Sequence, residues 1–221
     1  MDSLFRFGGS CACIVLAAVR MCSALAMPQL PPASFSATHR IVVLGDSLAV
    51  TPTRAASFPA LLQARMSREG RPWTVVNAGV SGDTTAGGLR RLESALRDGA
   101  DVLVLELGAN DGLRGVDIAV VEKNLSTIIE AAQTRGISVL LCGMETPPLH
   151  GWNYTVAFHS LYPRLAARYG VPLVPFLLTG VALVPEMNGG DGIHPNAAGA
   201  HRIAETVWPY LEPLLQTRAA A

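Results

Sequence analysis

The feature that most constrains the fold is a regular alternation of apolar runs and segments with helical spacing. Five runs dominated by Val, Leu and Ile cover residues 40–45, 73–79, 101–108, 137–143 and 171–176. Strands buried on both faces of a parallel sheet have this nearly continuous apolar character. Helix-period segments follow these runs, at residues 57–69, 84–98, 116–135, 155–169 and 195–215. The alternation predicts one doubly wound α/β sandwich domain.

Length and composition exclude two broad classes of protein. The chain has 221 residues, which is enough for one domain with a full hydrophobic core. Its 17 basic and 17 acidic residues balance, whereas a nucleic-acid-binding protein normally carries a basic excess. Charged residues make up 15% and hydrophobic residues 50% of the chain, a composition that is too apolar for intrinsic disorder.

The N-terminal 38 residues have a different character. Arg6 precedes a nine-residue apolar run, "CACIVLAAV", and the segment 24–26 has the small-x-small pattern of a cleavage site. This pattern predicts a signal peptide over 1–26, and the apolar run is too short for a transmembrane helix, which needs about 20 residues. We therefore expect an exported protein, periplasmic or secreted, without stable membrane insertion. A Pro-rich linker over 27–38 and a folded domain over 39–216 complete the predicted organisation; a disordered leader is the alternative.

Polar, glycine-containing segments follow the first four predicted strands and precede the last helix. These segments are "GDSL", "NAGVSGDTT", "GANDGLRG", "METPPLHGWNY" and "GGDGIHPNAAG". The carboxyl ends of parallel strands meet at one edge of the sheet, and ligand sites of open α/β sheets lie there. We therefore expect the functional site at this edge.

Three residues in these segments match the requirements of acyl transfer, which needs a nucleophile, a base and a group that orients the base. Ser47 follows the first strand, and a serine there, taken alone, is more often a turn or helix-capping residue than a nucleophile. His194 lies in a glycine-rich turn, with Asp191 three residues before it. At that spacing a carboxylate can reach the imidazole Nδ1–H and leave Nε2 free as a base.

Oxyanion donors are expected from the same segments. The backbone N–H of Ser47 at a helix start, the N–H of Gly79 and the side-chain amide of Asn110 are candidates. Ordinary turn chemistry is the alternative interpretation for Gly79 and Asn110. Two neighbouring acids have structural interpretations: Asp46 is expected to bond the turn backbone, and Asp111 to tie down its own loop.

The chain lacks several motifs of other enzyme classes. It contains no G-x-S-x-G elbow, no P-loop and no G-x-G-x-x-G sequence. The other histidines have no partner at metal-ligand spacing; they are His39, His150, His159 and His201. We therefore expect neither a metal nor an organic cofactor.

Taken together, the four blocks "GDSL", "NAGVSGDT", "GAND" and "DGIHPN" resemble the SGNH/GDSL hydrolase family, over about residues 40–215. The residues that flank the blocks resemble those of the branch that contains periplasmic acyl-CoA thioesterases, lysophospholipases and arylesterases. The resemblance implies a flavodoxin-like three-layer α/β/α sandwich with a five-stranded parallel sheet. It also implies a Ser-His-Asp hydrolase of esters and thioesters, with Ser47 as nucleophile and an oxyanion hole formed by Ser47, Gly79 and Asn110.

The expected partner is a small acyl ester or thioester, bound by a monomer. Apolar side chains near the predicted edge either line an acyl groove or pack in the core. They are Leu113, Pro148, Leu149, Trp152, Tyr154 and Phe158. One departure from the branch is Glu145, which stands where members often carry a basic residue. Two other functions stay open from the sequence: a carbohydrate O-deacetylase of the same family, and a flavodoxin-like binding domain without catalysis.

Overall fold

A five-stranded parallel sheet forms the centre of the computed structural model, which describes residues 39–219. The strands are β1 (His39–Gly45), β2 (Trp73–Asn77), β3 (Val102–Glu106), β4 (Ser138–Cys142) and β5 (Leu173–Val174). Their spatial order is β2-β1-β3-β4-β5, the order of flavodoxin-like folds. The predicted fold class is therefore confirmed. The predicted signal peptide and linker lie outside the described residues.

Helices cover both faces of the sheet. They are α1 (Phe58–Arg68), α2 (Thr85–Ala95), α3 (Ala109–Arg114), α4 (Ile118–Thr134), α5 (Trp152–Tyr169) and α6 (Ala197–Ala219). Helix α1 packs against α6, while α4 lies between α2 and α5. The result is the expected three-layer sandwich. None of the helices in the described part of the chain is long and apolar enough to cross a membrane.

The two central strands explain why the apolar runs are nearly continuous. In β1, residues Ile41 to Leu44 are completely buried, and so are Val102 to Leu105 in β3. The two strands pair in register, with Val43 opposite Val104. Helices cover both faces, so every side chain of these strands enters a core, and truncating one such leucine to alanine costs about 2–5 kcal/mol.

The structure corrects the predicted boundaries at the functional edge. Strand β2 ends at Asn77 and β3 at Glu106, two residues earlier than predicted in each case. Strand β5 is reduced to Leu173–Val174. These strands end where the chain turns toward the edge; Gly108, for example, has φ 121°, which ends β3 and precedes α3.

Helix α3 was expected as a polar loop. Its six residues are too few and too polar for an apolar period to be visible in the sequence. The helix is held by a tertiary contact instead, because the buried carboxylate of Asp111 accepts hydrogen bonds from N and Oγ1 of Thr85, at 2.8 and 2.7 Å. The predicted anchoring role of Asp111 is therefore confirmed, and the contact fixes α3 to the start of α2.

Candidate active site

Ser47 lies in a tight turn directly after β1. The backbone N–H groups of Val50 and Thr51 both donate to the Ser47 carbonyl, at 3.1 and 3.0 Å. No helix starts at Ser47, contrary to the prediction, because this single turn is not continued and α1 begins only at Phe58. Asp46 accepts a hydrogen bond from the N–H of Leu48 at 2.9 Å, so its predicted role in the turn backbone is confirmed.

Folding brings Ser47, His194 and Asp191 into one chain of hydrogen bonds. Nε2 of His194 lies 3.0 Å from Oγ of Ser47, although the two residues are 147 positions apart in the sequence. Nδ1 of His194 lies 2.6 Å from Oδ2 of Asp191. These are the distances that a nucleophile, a base and an orienting carboxylate require.

The carboxylate of Asp191 supplies the negative charge at the end of this series of hydrogen bonds. Hydrogen bonds from the His194 ring and from the backbone N–H groups of His194 and Ile193 hold the pKa of Asp191 well below its usual range. Asp191 is therefore ionised at neutral pH. An ionised partner at Nδ1 favours the tautomer with the proton on that nitrogen, which leaves the lone pair of Nε2 directed at Ser47.

The loop that carries His194 is fixed by the residues around it. Oδ1 of Asn196 accepts hydrogen bonds from the N–H groups of Ala198 and Gly199, at 2.9 and 3.1 Å, and so caps the start of α6. The Asn196 amide nitrogen donates to the carbonyls of Glu186 and Asn188. The "HPN" sequence thus couples the histidine to a capped helix start.

Two of the three predicted oxyanion donors have a hydrogen that is available for a ligand. The N–H of Ser47 donates to no other group in the described part of the chain. The side-chain amide of Asn110, in the first turn of α3, donates one hydrogen to Oδ2 of Asp46 at 3.0 Å, and its second hydrogen has no acceptor among residues 39–219.

The geometry does not support the prediction for Gly79. Its N–H already donates to Oδ1 of Asn77, at 2.9 Å. A Cβ at Gly79 would lie only 2.8 Å from that of Ala49, so the glycine is needed for close packing against the Ser47 turn. On the same loop Gly82, with φ 75°, is exposed, and its N–H donates to no described residue.

Comparison with known proteins identifies the family. The model of the GDSL-like Lipase/Acylhydrolase family matches residues 43–202, more than half of the chain. The chain belongs to this family. It is an acyl hydrolase, and the resemblance drawn from its four sequence blocks is confirmed.

Individual relatives of this GDSL hydrolase carry consistent names. Esterase TesA of Pseudomonas aeruginosa is 44% identical over 183 residues, covering 81% of this chain and 91% of the relative. An arylesterase of Vibrio mimicus is 39% identical, covering 79% and 89%. Thioesterase 1/protease 1/lysophospholipase L1 of Escherichia coli K12 is 37% identical, covering 81% and 86%. The crystal structure of TesA superposes with a TM-score of 0.75, covering 80% of this chain and 99% of TesA.

Besides Gly82, two residues of the site were not found from the sequence. Arg91 of α2 donates to the carbonyl of Gly45 at 2.8 Å and to the carbonyl of Ala78, and it forms a 2.6 Å ion pair with Asp83. This arginine therefore ties together the loops that follow β1 and β2 in the GDSL hydrolase. A single arginine on a helix carries no sequence signal for such a role.

The second missed residue is Glu106, the last residue of β3. Its side chain is completely buried, and Oε2 accepts a hydrogen bond from the N–H of Asp46 at 3.0 Å. Burial and the neighbouring Asp46 raise the pKa of Glu106 well above its usual range. The available signal was a single acid inside the apolar run "VLVLELG".

The predicted substrate residues form an exposed group. Leu113, Leu149 and Trp152 are 43%, 66% and 71% exposed, and Pro148 is also exposed. A hydrogen-bond contact of 3.0 Å between His150 Nε2 and the Leu113 carbonyl joins the two segments.

Two aromatic residues that the sequence places near this edge, Phe158 and Tyr154, do not belong to the exposed group. Phe158 is completely buried, so it does not line the edge, and half-buried Tyr154 donates its hydroxyl to the carbonyl of Val116 at 2.8 Å. Glu145 is exposed and pairs with Nδ1 of His159 at 2.6 Å, which keeps an acid where the branch often has a base.

Proposed function

We propose that this protein hydrolyses carboxylic esters and thioesters, with Ser47 as the nucleophile, His194 as the base and Asp191 as the residue that orients the base. The observation that carries the proposal is the continuous hydrogen-bond chain from Ser47 Oγ through His194 to Asp191, at 3.0 and 2.6 Å. The names of the relatives, an esterase, an arylesterase and a thioesterase/lysophospholipase, agree with this chemistry.

The reaction proceeds in two halves. Nε2 of His194 takes the proton from Oγ of Ser47 as Oγ attacks the acyl carbon and the carbonyl oxygen becomes an oxyanion. His194 then gives that proton to the leaving alcohol or thiol, and the acyl group stays on Ser47 as an ester. In the second half water replaces Ser47 as the attacking group, which releases the carboxylic acid and restores the serine.

We infer that the N–H groups of Ser47 and Gly82 and the free amide hydrogen of Asn110 stabilise the oxyanion. Gly82 replaces Gly79 in this role because the Gly79 N–H is already bonded to Asn77. A crystal structure of the Ser47 phosphonate adduct tests the inference. The phosphoryl oxygen is expected about 2.7–3.1 Å from the three donors. A contact with Gly79 instead of Gly82 would contradict it.

An apolar acyl group fits the exposed side chains of Leu113, Pro148, Leu149 and Trp152. Each methylene that becomes buried on them contributes about 0.8 kcal/mol. We expect kcat/KM for p-nitrophenyl esters to rise from acetyl to medium-length acyl chains and then to level off or fall. A maximum at acetyl, with strong activity on acetylated sugars, would instead favour a carbohydrate deacetylase.

Replacing the nucleophile tests the proposed function itself. Ser47→Ala removes the attacking oxygen and is expected to abolish ester hydrolysis while the thermal unfolding temperature stays close to that of the wild type. Ser67→Ala, at an exposed serine of α1, is the matched control and is expected to keep full activity. Substantial hydrolysis by folded Ser47→Ala protein would reject the assignment.

We also propose that the chain is exported after removal of residues 1–26. The support is the pattern of Arg6, the nine-residue apolar run and the small-x-small segment at 24–26. N-terminal sequencing of the protein from a Gram-negative host is expected to begin at Met27. A product that still carries "MDSLFRF" would refute the signal peptide.

A further inference from the structure

A buried pair of carboxyl groups lies directly behind the nucleophile turn. Asp46 and Glu106 are both completely buried, and Oε2 of Glu106 accepts a hydrogen bond from the Asp46 N–H at 3.0 Å. The catalytic steps proposed above use neither carboxyl group. Oε1 of Glu106 receives no hydrogen bond from any donor in the described part of the chain. Buried polar atoms are rarely left without a partner, so this oxygen calls for an explanation.

A proton on Glu106 gives that explanation. Both residues are completely buried, and ionising two neighbouring buried carboxyl groups together is unfavourable, so the pair holds one proton. A protonated Glu106 becomes a donor to the Asp46 carboxylate, and its Oε2 still accepts from the Asp46 N–H at 3.0 Å.

The hydrogen-bond donors place the negative charge on Asp46. Its Oδ1 accepts from the N–H of Leu48 at 2.9 Å, and its Oδ2 accepts from the amide of Asn110 at 3.0 Å. Among the described residues, the Asp46 N–H is the one hydrogen-bond donor to the Glu106 carboxyl. Hydrogen bonds to the charged form of an acid favour that form, so Asp46 is the better-stabilised anion of the two.

We propose that Glu106 is the neutral half and Asp46 the charged half of a carboxyl pair that positions Asn110 and the Ser47 turn for catalysis. The proposal rests on the proposed function, because Asn110 and Ser47 are its oxyanion donors. Both partners are positioning residues. Glu106 fixes the Asp46 carboxylate, and Asp46 then orients the Asn110 amide with one oxygen and the Leu48 end of the turn with the other.

The surroundings of the pair agree with this assignment. The polar and titratable groups that face it are Arg91 of α2, Asn110 of α3, Cys142 of β4, Tyr162 of α5 and His194. Arg91 is already paired with Asp83, and burial raises the pKa of Cys142 and of Tyr162, which therefore stay neutral. Burial raises the pKa of Asp46 to about 6, whereas burial and then the charge of Asp46 raise the pKa of Glu106 well above its usual range.

The assignment makes the two acids respond differently to the same substitution. In Glu106→Gln the amide keeps a neutral donor toward Asp46 and an acceptor for its N–H, so the pair is preserved. In Asp46→Asn one side-chain atom must become a donor. If the new amide keeps its oxygen at the Oδ1 position, where it accepts from the Leu48 N–H, its NH₂ group lies at the Oδ2 position. That NH₂ group then faces the NH₂ group of Asn110, and Asn110 is displaced from its place as an oxyanion donor.

Steady-state kinetics of the mature enzyme on p-nitrophenyl butyrate test this difference between Glu106 and Asp46. Glu106→Gln is expected to keep kcat within about threefold of the wild type. Asp46→Asn is expected to lower kcat about 10- to 100-fold with little change in KM, because the lost interaction acts on the oxyanion. Glu106→Leu, which offers no donor, is expected to behave like Asp46→Asn.

A buried hydroxyl provides the matched control. Tyr162→Phe removes a completely buried hydrogen bond to the Leu107 carbonyl near the same strand end, and the Tyr162 hydroxyl donates to neither carboxyl. It is expected to lower the unfolding temperature and leave kcat unchanged, which separates lost stability from lost positioning. Equal loss of kcat in Glu106→Gln and Asp46→Asn would overturn the proposal.

Infrared spectroscopy gives a readout that does not depend on activity. The difference spectrum between wild type and Glu106→Gln at neutral pH is expected to show the C=O stretch of one protonated carboxyl. A difference spectrum showing a lost carboxylate instead would overturn the proposal while leaving the proposed function intact. This measurement needs only these two proteins, so it decides the question even when Asp46→Asn does not fold.

Discussion

Two acids near the nucleophile illustrate how environment sets the role of a carboxyl group. Asp191 lies on a loop, its side chain is 50% exposed, and its hydrogen bonds lower its pKa. Glu106 ends a central strand, is completely buried, and burial raises its pKa. The first holds a charge beside His194, and the second holds a proton beside Asp46. The comparison teaches that solvent and the number of N–H donors decide which state a carboxyl adopts.

The largest expected effect on kcat comes from replacing the exposed acid, Asp191. Asp191→Asn keeps the shape of the side chain but removes the charge that fixes the His194 tautomer, so kcat is expected to fall about 1,000- to 10,000-fold. Kinetics on p-nitrophenyl butyrate measure the loss, with Asp98→Asn, at an exposed acid of the surface, as the control. A loss of less than tenfold would show that His194 needs no orienting carboxylate.

The next largest effect is expected at Asn110, which donates a hydrogen bond to Asp46, the neighbour of Glu106. Asn110→Ala removes a donor that acts mainly in the transition state, so kcat is expected to fall about 100- to 1,000-fold while KM changes little. Initial rates over a range of substrate concentrations separate the two parameters. If KM alone rises, Asn110 binds the ground state and the oxyanion is stabilised by other groups.

The buried acid Glu106 is expected to make the free energy of unfolding depend on pH. The pKa of Glu106 is raised on folding, so the stability linked to its protonated form is complete below the unfolded pKa, near 4.5, and is lost as pH rises. Glu106→Gln removes this loss. Its free energy of unfolding is expected to exceed that of wild type at pH 7, and the difference is expected to shrink toward pH 5. Urea unfolding at the two pH values measures it. A difference that does not depend on pH would exclude a shifted pKa at Glu106.

The smallest expected effect concerns a third, exposed acid. Glu145 sits in the loop after β4 and pairs with His159. Replacing it with arginine, Glu145→Arg, is expected to raise kcat/KM for anionic acyl-CoA substrates a few-fold relative to neutral p-nitrophenyl esters. The gain should fade in high salt, because exposed charges are screened. An equal change for both substrates would place Glu145 outside the substrate path.

Local sequence patterns predicted much of this molecule. The apolar runs predicted where each of the five strands lies along the chain, with errors at the ends of β2, β3 and β5, because parallel strands are buried on both faces. The blocks with Ser47, His194 and Asp191 predicted a cluster that the structure brings into hydrogen-bond contact. Asp191 and His194 are three residues apart, so their contact depends on one turn.

The sequence did not predict features that depend on contacts between distant segments. Helix α3 depends on the contact of Asp111 with Thr85, and Glu106 meets Asp46 only across the β1–β3 pairing. The occupied N–H of Gly79 was also invisible, since it depends on how the Asn77 side chain folds back.

Covalent labelling of the nucleophile tests the central claim most directly. Trypsin releases residues 41–54, "IVVLGDSLAVTPTR", in which Ser47 is the one serine. After treatment with a fluorophosphonate probe, mass spectrometry is expected to find one adduct, on this peptide, and hydrolysis of p-nitrophenyl butyrate is expected to disappear in proportion to labelling. His194→Ala is expected to label far more slowly. An adduct on another serine, or full activity in protein labelled at Ser47, would contradict the account.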